Sequence, residues 1–231
     1  MRPRPLAPVV LTFVLGECAL ELVPPALHVA PSVKRRSRER RRAPEHLLLD
    51  QALDHEAMAA LPDAKRRGRP DIVHLLTLLV QDSPLAQRGL TRLLWHTQED
   101  ALVRVRPDLR PPRAQPTFYK LCEDLLRQDE VPMGRPLLTL ERGRTLADVL
   151  AAEARGPVVL LAEEGRRMRT GDFATLAREH ADLTFVVGGF AHGDWRARPE
   201  ADVVASVSAS PLTAASALVP VLAGLEDALA P

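Results

Sequence analysis

The chain has 231 residues, 46% of them hydrophobic and 3% aromatic, and its 31 basic and 30 acidic side chains leave a formal net charge of +1. That is enough apolar material for one large domain or two small ones, and it argues against wholesale disorder. The scarcity of aromatic residues argues against recognition of bases by stacking on a flat sheet, so any nucleic-acid binding has to rest on charge and shape.

In chain order, the apolar run 9–15 reads as a buried first strand. A signal peptide is disfavoured because Glu17 and Glu21 interrupt the pattern and no small-residue cleavage site follows. No stretch is long enough to span a membrane. Residues 17–22 read as a short helix stopped by Pro24-Pro25. Residues 31–45 read as a basic, turn-rich loop: seven cations and one anion, Glu39, lie between Lys34 and Arg42. Helical periodicity covers 47–61, residues 65–69 form a second basic link, and 71–80 read as a buried helix with Asp71 as its cap or first-turn anion. Residues 90–97 and 101–105 flank Gln98-Glu99-Asp100 as a hairpin, and 117–127 look helical. Thr145 with Asp148 opens another helix in the manner of a capping box.

From residue 157 the pattern becomes regular. Strands are expected at 158–162, 183–187 and 203–207, with helices at 173–180 and 212–229. Short apolar strands alternating with helices predict an α/β fold, a parallel sheet with helices on both faces. Such sheets bind ligands at the carboxyl ends of their strands, where Gly188 and Ser208 fall.

Two stretches stand out chemically. Arg69-Pro70-Asp71-Ile72-Val73-His74 and Arg110-Pro111-Pro112-Arg113 offer guanidinium forks on stiffened backbone, suited to bidentate phosphate contacts. Asp71 could pair with Arg69, or merely cap a helix and leave Arg69 in solvent. The second stretch, Phe185-Val186-Val187-Gly188-Gly189-Phe190-Ala191-His192-Gly193, carries glycines after a strand, either a tight turn or a ligand loop. Its spacing does not match G-x-G-x-x-G, and the chain contains no G-x-x-x-x-G-K-[ST] loop. Ser206, Ser208 and Ser210 lack a nucleophile-elbow context. The seven histidines show no metal-ligand spacing, His74 reads as a buried satisfied histidine, and Cys18 and Cys122 make no disulfide framework. A reduced, cytoplasmic protein is expected.

Taken in order, Ala19-Leu20-Glu21-Leu22-Val23-Pro24, Gly68-Arg69-Pro70-Asp71-Ile72-Val73-His74, Asp82-Ser83-Pro84-Leu85, Arg110-Pro111-Pro112-Arg113, the 188–193 loop and Ser210-Pro211-Leu212 resemble a known family. It is the nucleolar essential protein family of small-subunit ribosomal RNA pseudouridine-N(1) methyltransferases, in the SPOUT superfamily, and the compact length resembles its archaeal type. The resemblance covers nearly the whole chain. It implies a single SPOUT-like domain over 1–231, with a hairpin and helix extension over 86–130 that carries RNA contacts. It also implies a cofactor-binding part over 157–231 threaded as a trefoil knot. S-adenosylmethionine is the implied cofactor, no metal is needed, and the implied state is a homodimer bound to small-subunit ribosomal RNA, with ribosomal proteins of that subunit as further partners. By position, Leu161, Gly188, Gly193, Val207, Ser208, Ala209, Ser210, Pro211 and Leu212 correspond to the cofactor walls. Arg69, Arg110 and Arg113 correspond to RNA-contacting arginines, with Asp71 as the carboxylate that orients Arg69 or as the base that takes a proton. Where the family often carries a basic residue four positions beyond Arg113, this chain has Thr117. A non-catalytic RNA-binding assembly factor of the small subunit is the competing expectation, since the same arginines would serve it.

Overall fold

The computed structural model describes residues 10–230. Its strands are β1 (Val10–Cys18), β2 (Thr91–Thr97), β3 (Ala101–Val105), β4 (Glu130–Val131), β5 (Leu138–Arg142), β6 (Val158–Arg167), β7 (Asp182–Gly188) and β8 (Val203–Ser206). They form one sheet in the order β4-β5-β3-β2-β1-β7-β6-β8. β2, β1, β7, β6 and β8 pair in parallel, and β3, β5 and β4 extend the sheet antiparallel. β4 and β5 lie outside the predicted strands, although Leu138-Thr139-Leu140-Glu141 alternates with the two-residue period of a half-buried strand.

The helices are α1 (Pro31–Arg40), α2 (Gln51–Met58), α3 (Pro70–Gln81), α4 (Pro84–Gln87), α5 (Gln115–Gln128), α6 (Leu146–Glu153), α7 (Thr170–Glu179) and α8 (Ala214–Ala228). Central β1 is buried along nearly its whole length, as a parallel strand covered on both sides should be. Its side chains alternate between two cores. Leu11, Phe13 and Leu15 join Val73 and Leu76 of α3, Phe118 of α5, Phe173 of α7 and Leu218 of α8. Val14 joins Leu94, Leu160 and Val186 with Leu146 and Val149 of α6. Helices therefore cover both faces, unequally. The capping box of α6 forms as expected, Thr145 Oγ1 accepting from the Asp148 amide at 3.2 Å. Ser83 of the Asp82-Ser83-Pro84 turn caps α4 in the same way, at 3.1 Å from the Ala86 amide. Pro70 opens α3 at its first position, where a missing N–H costs nothing, and Ser83-Pro84 follows its end.

Three expectations for the N-terminal third are corrected. Residues 17–22 form no helix: β1 runs through Cys18, Glu17 has φ of +49°, and Leu22 bridges Leu48 antiparallel. The helix expected over 47–61 is confined to α2, capped by Asp50; residues 47–49 are buried and extended, because Leu49 donates to Glu21 and Leu47 accepts from Val23. The basic loop over 31–45 is largely helix α1. It has little apolar stripe, only Val33 being a buried hydrophobe, and is held instead by arginines that face inward. Arg36 is buried against Asp54 and the Leu48 carbonyl. Arg40 makes a two-pronged pair with Glu123 of α5 at 2.6 and 2.9 Å, and Arg42 reaches Glu123 and Asp124. Val9, the first residue of the expected strand, lies outside the described residues.

The Glu123 side chain is 0% exposed and also accepts from the Leu48 amide. Removing it would leave the Arg40 guanidinium without a carboxylate and the buried Leu48 amide without an acceptor, with Arg42 keeping only Asp124. Glu123→Ala is expected to destabilise the protein by about 3–5 kcal/mol, as breaking a buried pair does. A urea unfolding curve with an unchanged midpoint would contradict this.

Candidate functional site

A cavity of about 770 Å³ opens beside the middle of β6, at the ends of β7 and β8. Leu161 forms one wall, Gly188 ends β7 and Gly193 lies in the loop after it, and Val207, Ser208, Ser210, Pro211 and Leu212 follow β8. Sequence reasoning had singled out all eight. Ala209, singled out with them, does not line the cavity; it is exposed. Residues it missed also contribute, notably Glu163, Glu164, Phe190 and Trp195. The acidic pair was legible as Glu163-Glu164 following an apolar strand. Phe190 and Trp195 gave no signal beyond their apolar character. β6 changes register against β8 between Leu161 and Arg166. Gly165 sits where a Cβ would lie 2.6–2.8 Å from the Ala205 and Val204 backbone, so only glycine lets the two strands cross so closely.

The loop after β7 is fastened to the N-terminal half of the chain. The Gly189 amide donates to the Gly16 carbonyl at 2.7 Å, and the Gly189 carbonyl accepts from Ala19 at 3.0 Å. Glu17, buried in the left-handed region, accepts the amides of Arg196 at 2.9 Å and Ala197 at 3.2 Å. Its other partner is the Arg66 guanidinium, which also donates to the Asp194 carbonyl and stands 4.2 Å over the Phe190 ring. Trp195 packs edge-on against Phe190, with centroids 5.2 Å apart. The loop is thus clamped by a carboxylate and a guanidinium that lie more than a hundred residues earlier in the chain. Burial holds the His96 imidazole below its ordinary pKa; its Nδ1 accepts the Glu17 amide at 3.3 Å, so the proton resides on Nε2, towards Asp100.

The predicted arginines gather on α3 and the segment before α5. Arg69 precedes α3 and forms a planar two-pronged pair with Asp71, both bonds 2.8 Å. That hydrogen bonding raises the Arg69 pKa further above its ordinary value. Asp71 is therefore the first-turn anion and partner of Arg69, and no side chain caps the helix. His74, one turn on, bonds the Pro112 carbonyl at 2.7 Å and stacks on Phe118 at 4.4 Å. This tether ties the stretch 110–113 to α3. Arg110 is exposed, and the Arg113 side chain is 87% exposed with only a 3.8 Å approach to Asp82. Arg66 and Arg67 of the second basic link turn inward, to Glu17 and Glu21 respectively. One residue joins the two regions: Ala19 accepts from the Arg69 amide at 2.9 Å and donates to the Gly189 carbonyl. Among the described residues no cluster of histidine, cysteine or carboxylate side chains could hold a metal, and no helix is long and apolar enough to cross a membrane.

Residues 13–226 match the EMG1/NEP1 methyltransferase family. The chain belongs to that family. It is 35% identical over 219 residues to the ribosomal RNA small subunit methyltransferase Nep1 of Thermococcus kodakarensis, covering 95% of this chain and 99% of that protein. To the protein of the same name from Pyrobaculum neutrophilum it is 41% identical over 220 residues, 94% of this chain and 97% of the relative. The crystal structure of Archaeoglobus fulgidus Nep1 bound to S-adenosylhomocysteine superposes with a TM-score of 0.80 at 28% identity, covering 95% of this chain and 99% of the other. Membership accounts for the SPOUT-type sheet and for a ligand cavity at the strand ends.

Proposed function

We propose that this family member transfers a methyl group from S-adenosylmethionine to N(1) of a pseudouridine in small-subunit ribosomal RNA. The supporting observation is the bridge through Ala19, which sets the cavity rim and the Arg69–Asp71 pair side by side on the end of β1. The cavity suits the donor. Its volume lies in the range of about 300–1,000 Å³ common for small-ligand sites. Leu161, Val187 and Leu212 give it apolar walls, the loops after β7 and β8 supply backbone polar groups, and Glu163 brings negative charge to a site for a cation, its neighbour Glu164 being paired with Arg198. When bound, S-adenosylmethionine supplies a methyl group activated by its sulfonium. The chain's own part is to hold the acceptor nitrogen in line and to exclude competing arrangements.

In pseudouridine the ribose is joined through carbon, so N(1) carries a proton and is free to be methylated; in uridine it is blocked. Arg69, Arg110 and Arg113 grip the phosphates around a base turned out of its stack. Both Asp71 oxygens accept from Arg69, so its first task is to orient that guanidinium; a spare lone pair on either oxygen is available for the N(1) proton. Arg69→Ala is expected to weaken binding of a small-subunit RNA hairpin by roughly ten- to a hundredfold, the loss of one charged hydrogen-bonding fork. Calorimetry with S-adenosylhomocysteine should give the parental affinity, and equal losses for both ligands would count against this assignment.

The same reading has the 157–231 segment knotted within a single domain, which the one eight-stranded sheet supports. It has two copies pairing through α3 and α8, which pack together and leave Leu75 49% and Val219 51% exposed. It places the protein in the cytoplasm, where the unpaired Cys18 and Cys122 stay reduced, in contact with small-subunit ribosomal proteins. The deciding test uses one RNA hairpin made with pseudouridine or with uridine at the target position, incubated with labelled S-adenosylmethionine. Label is expected in the pseudouridine RNA alone. Label in the uridine RNA would overturn the N(1) assignment, and failure to bind S-adenosylhomocysteine would favour an assembly factor without catalysis.

A further inference from the structure

The seven cations between Lys34 and Arg42 are divided by α1 into two sets. Arg36, Arg40 and Arg42 face inward and take up Asp54, Glu123 and Asp124. Lys34, Arg38 and Arg41 are exposed and have no carboxylate within salt-bridge distance among the described residues. Lys34 and Arg38, four residues apart, share one face of the helix, and Arg41 follows at its C-terminal end. Arg35 flanks that face and approaches only Glu39, at 3.9 Å with both side chains mostly exposed. Arg41 holds a left-handed backbone, φ +50°, at a helix end where glycine or asparagine would be unstrained, so nothing in the local backbone calls for arginine there.

The face is also rigidly placed. The inward arginines lock α1 onto α5 at Glu123, and α5 begins just after Arg113. Gln115 and Glu123 are about 12 Å apart along the α5 axis at 1.5 Å per residue. Lys120, exposed, lies between them. Arg110, Arg113 and Lys120 are thus exposed cations on the segment and helix to which α1 is fastened.

We propose that this outer face of α1 is a second RNA-binding surface, taking the phosphodiester backbone of the small-subunit ribosomal RNA beyond the target loop. This rests on the reading that Arg69, Arg110 and Arg113 hold the same RNA. Three unpaired cations on an immobilised helix displace counterions from the phosphates at little cost in ordering, and the contact carries no base specificity. The face compensates for the cation absent at Thr117.

The test compares the full-length protein with a Lys34→Gln, Arg38→Gln, Arg41→Asn variant and with Arg113→Ala. Binding of an rRNA fragment containing the hairpin and the helix beneath it is measured across a salt series. The triple variant is expected to bind about tenfold more weakly at low salt and to lose roughly two from the log–log salt slope, at about 0.7 per phosphate contact. Its melting temperature and its affinity for S-adenosylhomocysteine should match the parent, since none of the three side chains has an ion-pair partner among the described residues. Unchanged RNA affinity and slope in the triple variant, with Arg113→Ala weakened, overturns the α1 surface and leaves the RNA site standing. If neither variant changes, the RNA-binding reading itself fails, and this proposal with it.

Discussion

Gly189→Ala is expected to cut methyl transfer by about a hundredfold, the cost of displacing reacting groups by roughly 1 Å. An added Cβ would stand 2.7 Å from Cys18 Sγ and 2.8 Å from Cys18 Cα, inside any tolerable contact. The sulfur could turn aside, but the Cα cannot, so the loop after β7 has to lift from the end of β1. Lifting breaks the bonds from Gly189 to Gly16 and from Ala19 to Gly189. The first shapes the cavity rim, and the second is half of the bridge to Arg69, so affinity for S-adenosylhomocysteine and for RNA should both fall. Cys18→Ala in the same chain should restore only part of the loss, because the clash with the backbone of residue 18 persists. Parental calorimetry and parental single-turnover rates for Gly189→Ala would show that the loop does not form the donor site.

The second large effect is expected from Glu17→Ala. The Glu17 side chain is 4% exposed and its carboxylate is shared by Arg66, the Arg196 amide and the Ala197 amide. Alanine would strand the Arg66 guanidinium, itself only 13% exposed, and leave two amides without their acceptor. A loss of about 3–5 kcal/mol follows from an uncompensated buried charge. Part of it should appear as local release of the 188–197 loop before global unfolding. Trp195 reports on this directly. It packs on Phe190 within the clamp, whereas Trp95, the other tryptophan, is fully buried in the main core and forms a constant background. Glu17→Ala should shift the emission of the folded protein to the red and weaken S-adenosylhomocysteine binding. Glu17→Gln, which keeps an acceptor for the amides, should do so less. Identical emission and affinity in both variants would make Glu17 a spectator.

Much of the frame was legible from local pattern. The apolar run that becomes β1, the buried helix α3, the β2–β3 hairpin and the strand–helix alternation after residue 157 all follow from periodicity, and that alternation put the ligand at the strand ends. The Thr145–Asp148 box followed from a four-residue pattern. The Arg69–Asp71 pair was one of two readings open to residues two apart, whereas the grouping of Gly188 with residues 207–212 came from the family resemblance. Apart from that grouping, the deciding interaction is local or repeats at the period of a helix or strand.

Tertiary structure alone decided the fates of like residues. Nothing in Lys34-Arg35-Arg36-Ser37-Arg38-Glu39-Arg40-Arg41-Arg42 tells which arginines turn inward, because Glu123 and Asp124 lie some eighty residues away and carry no periodic trace back to α1. Arg66 and Arg69 both lie in the second basic link, yet one clamps the cavity loop and the other pairs with Asp71 at the start of α3. Glu17 looked like an interruption of an apolar run and is the acceptor on which that loop hangs. Local pattern settles most backbone hydrogen bonds and apolar faces, since those choices are made within a turn or a strand; residues 47–49 escaped it because their backbone partners, Glu21 and Val23, lie elsewhere in the chain. Which charge meets which was settled only by packing, because an ion pair depends on distance in space and not on spacing along the chain.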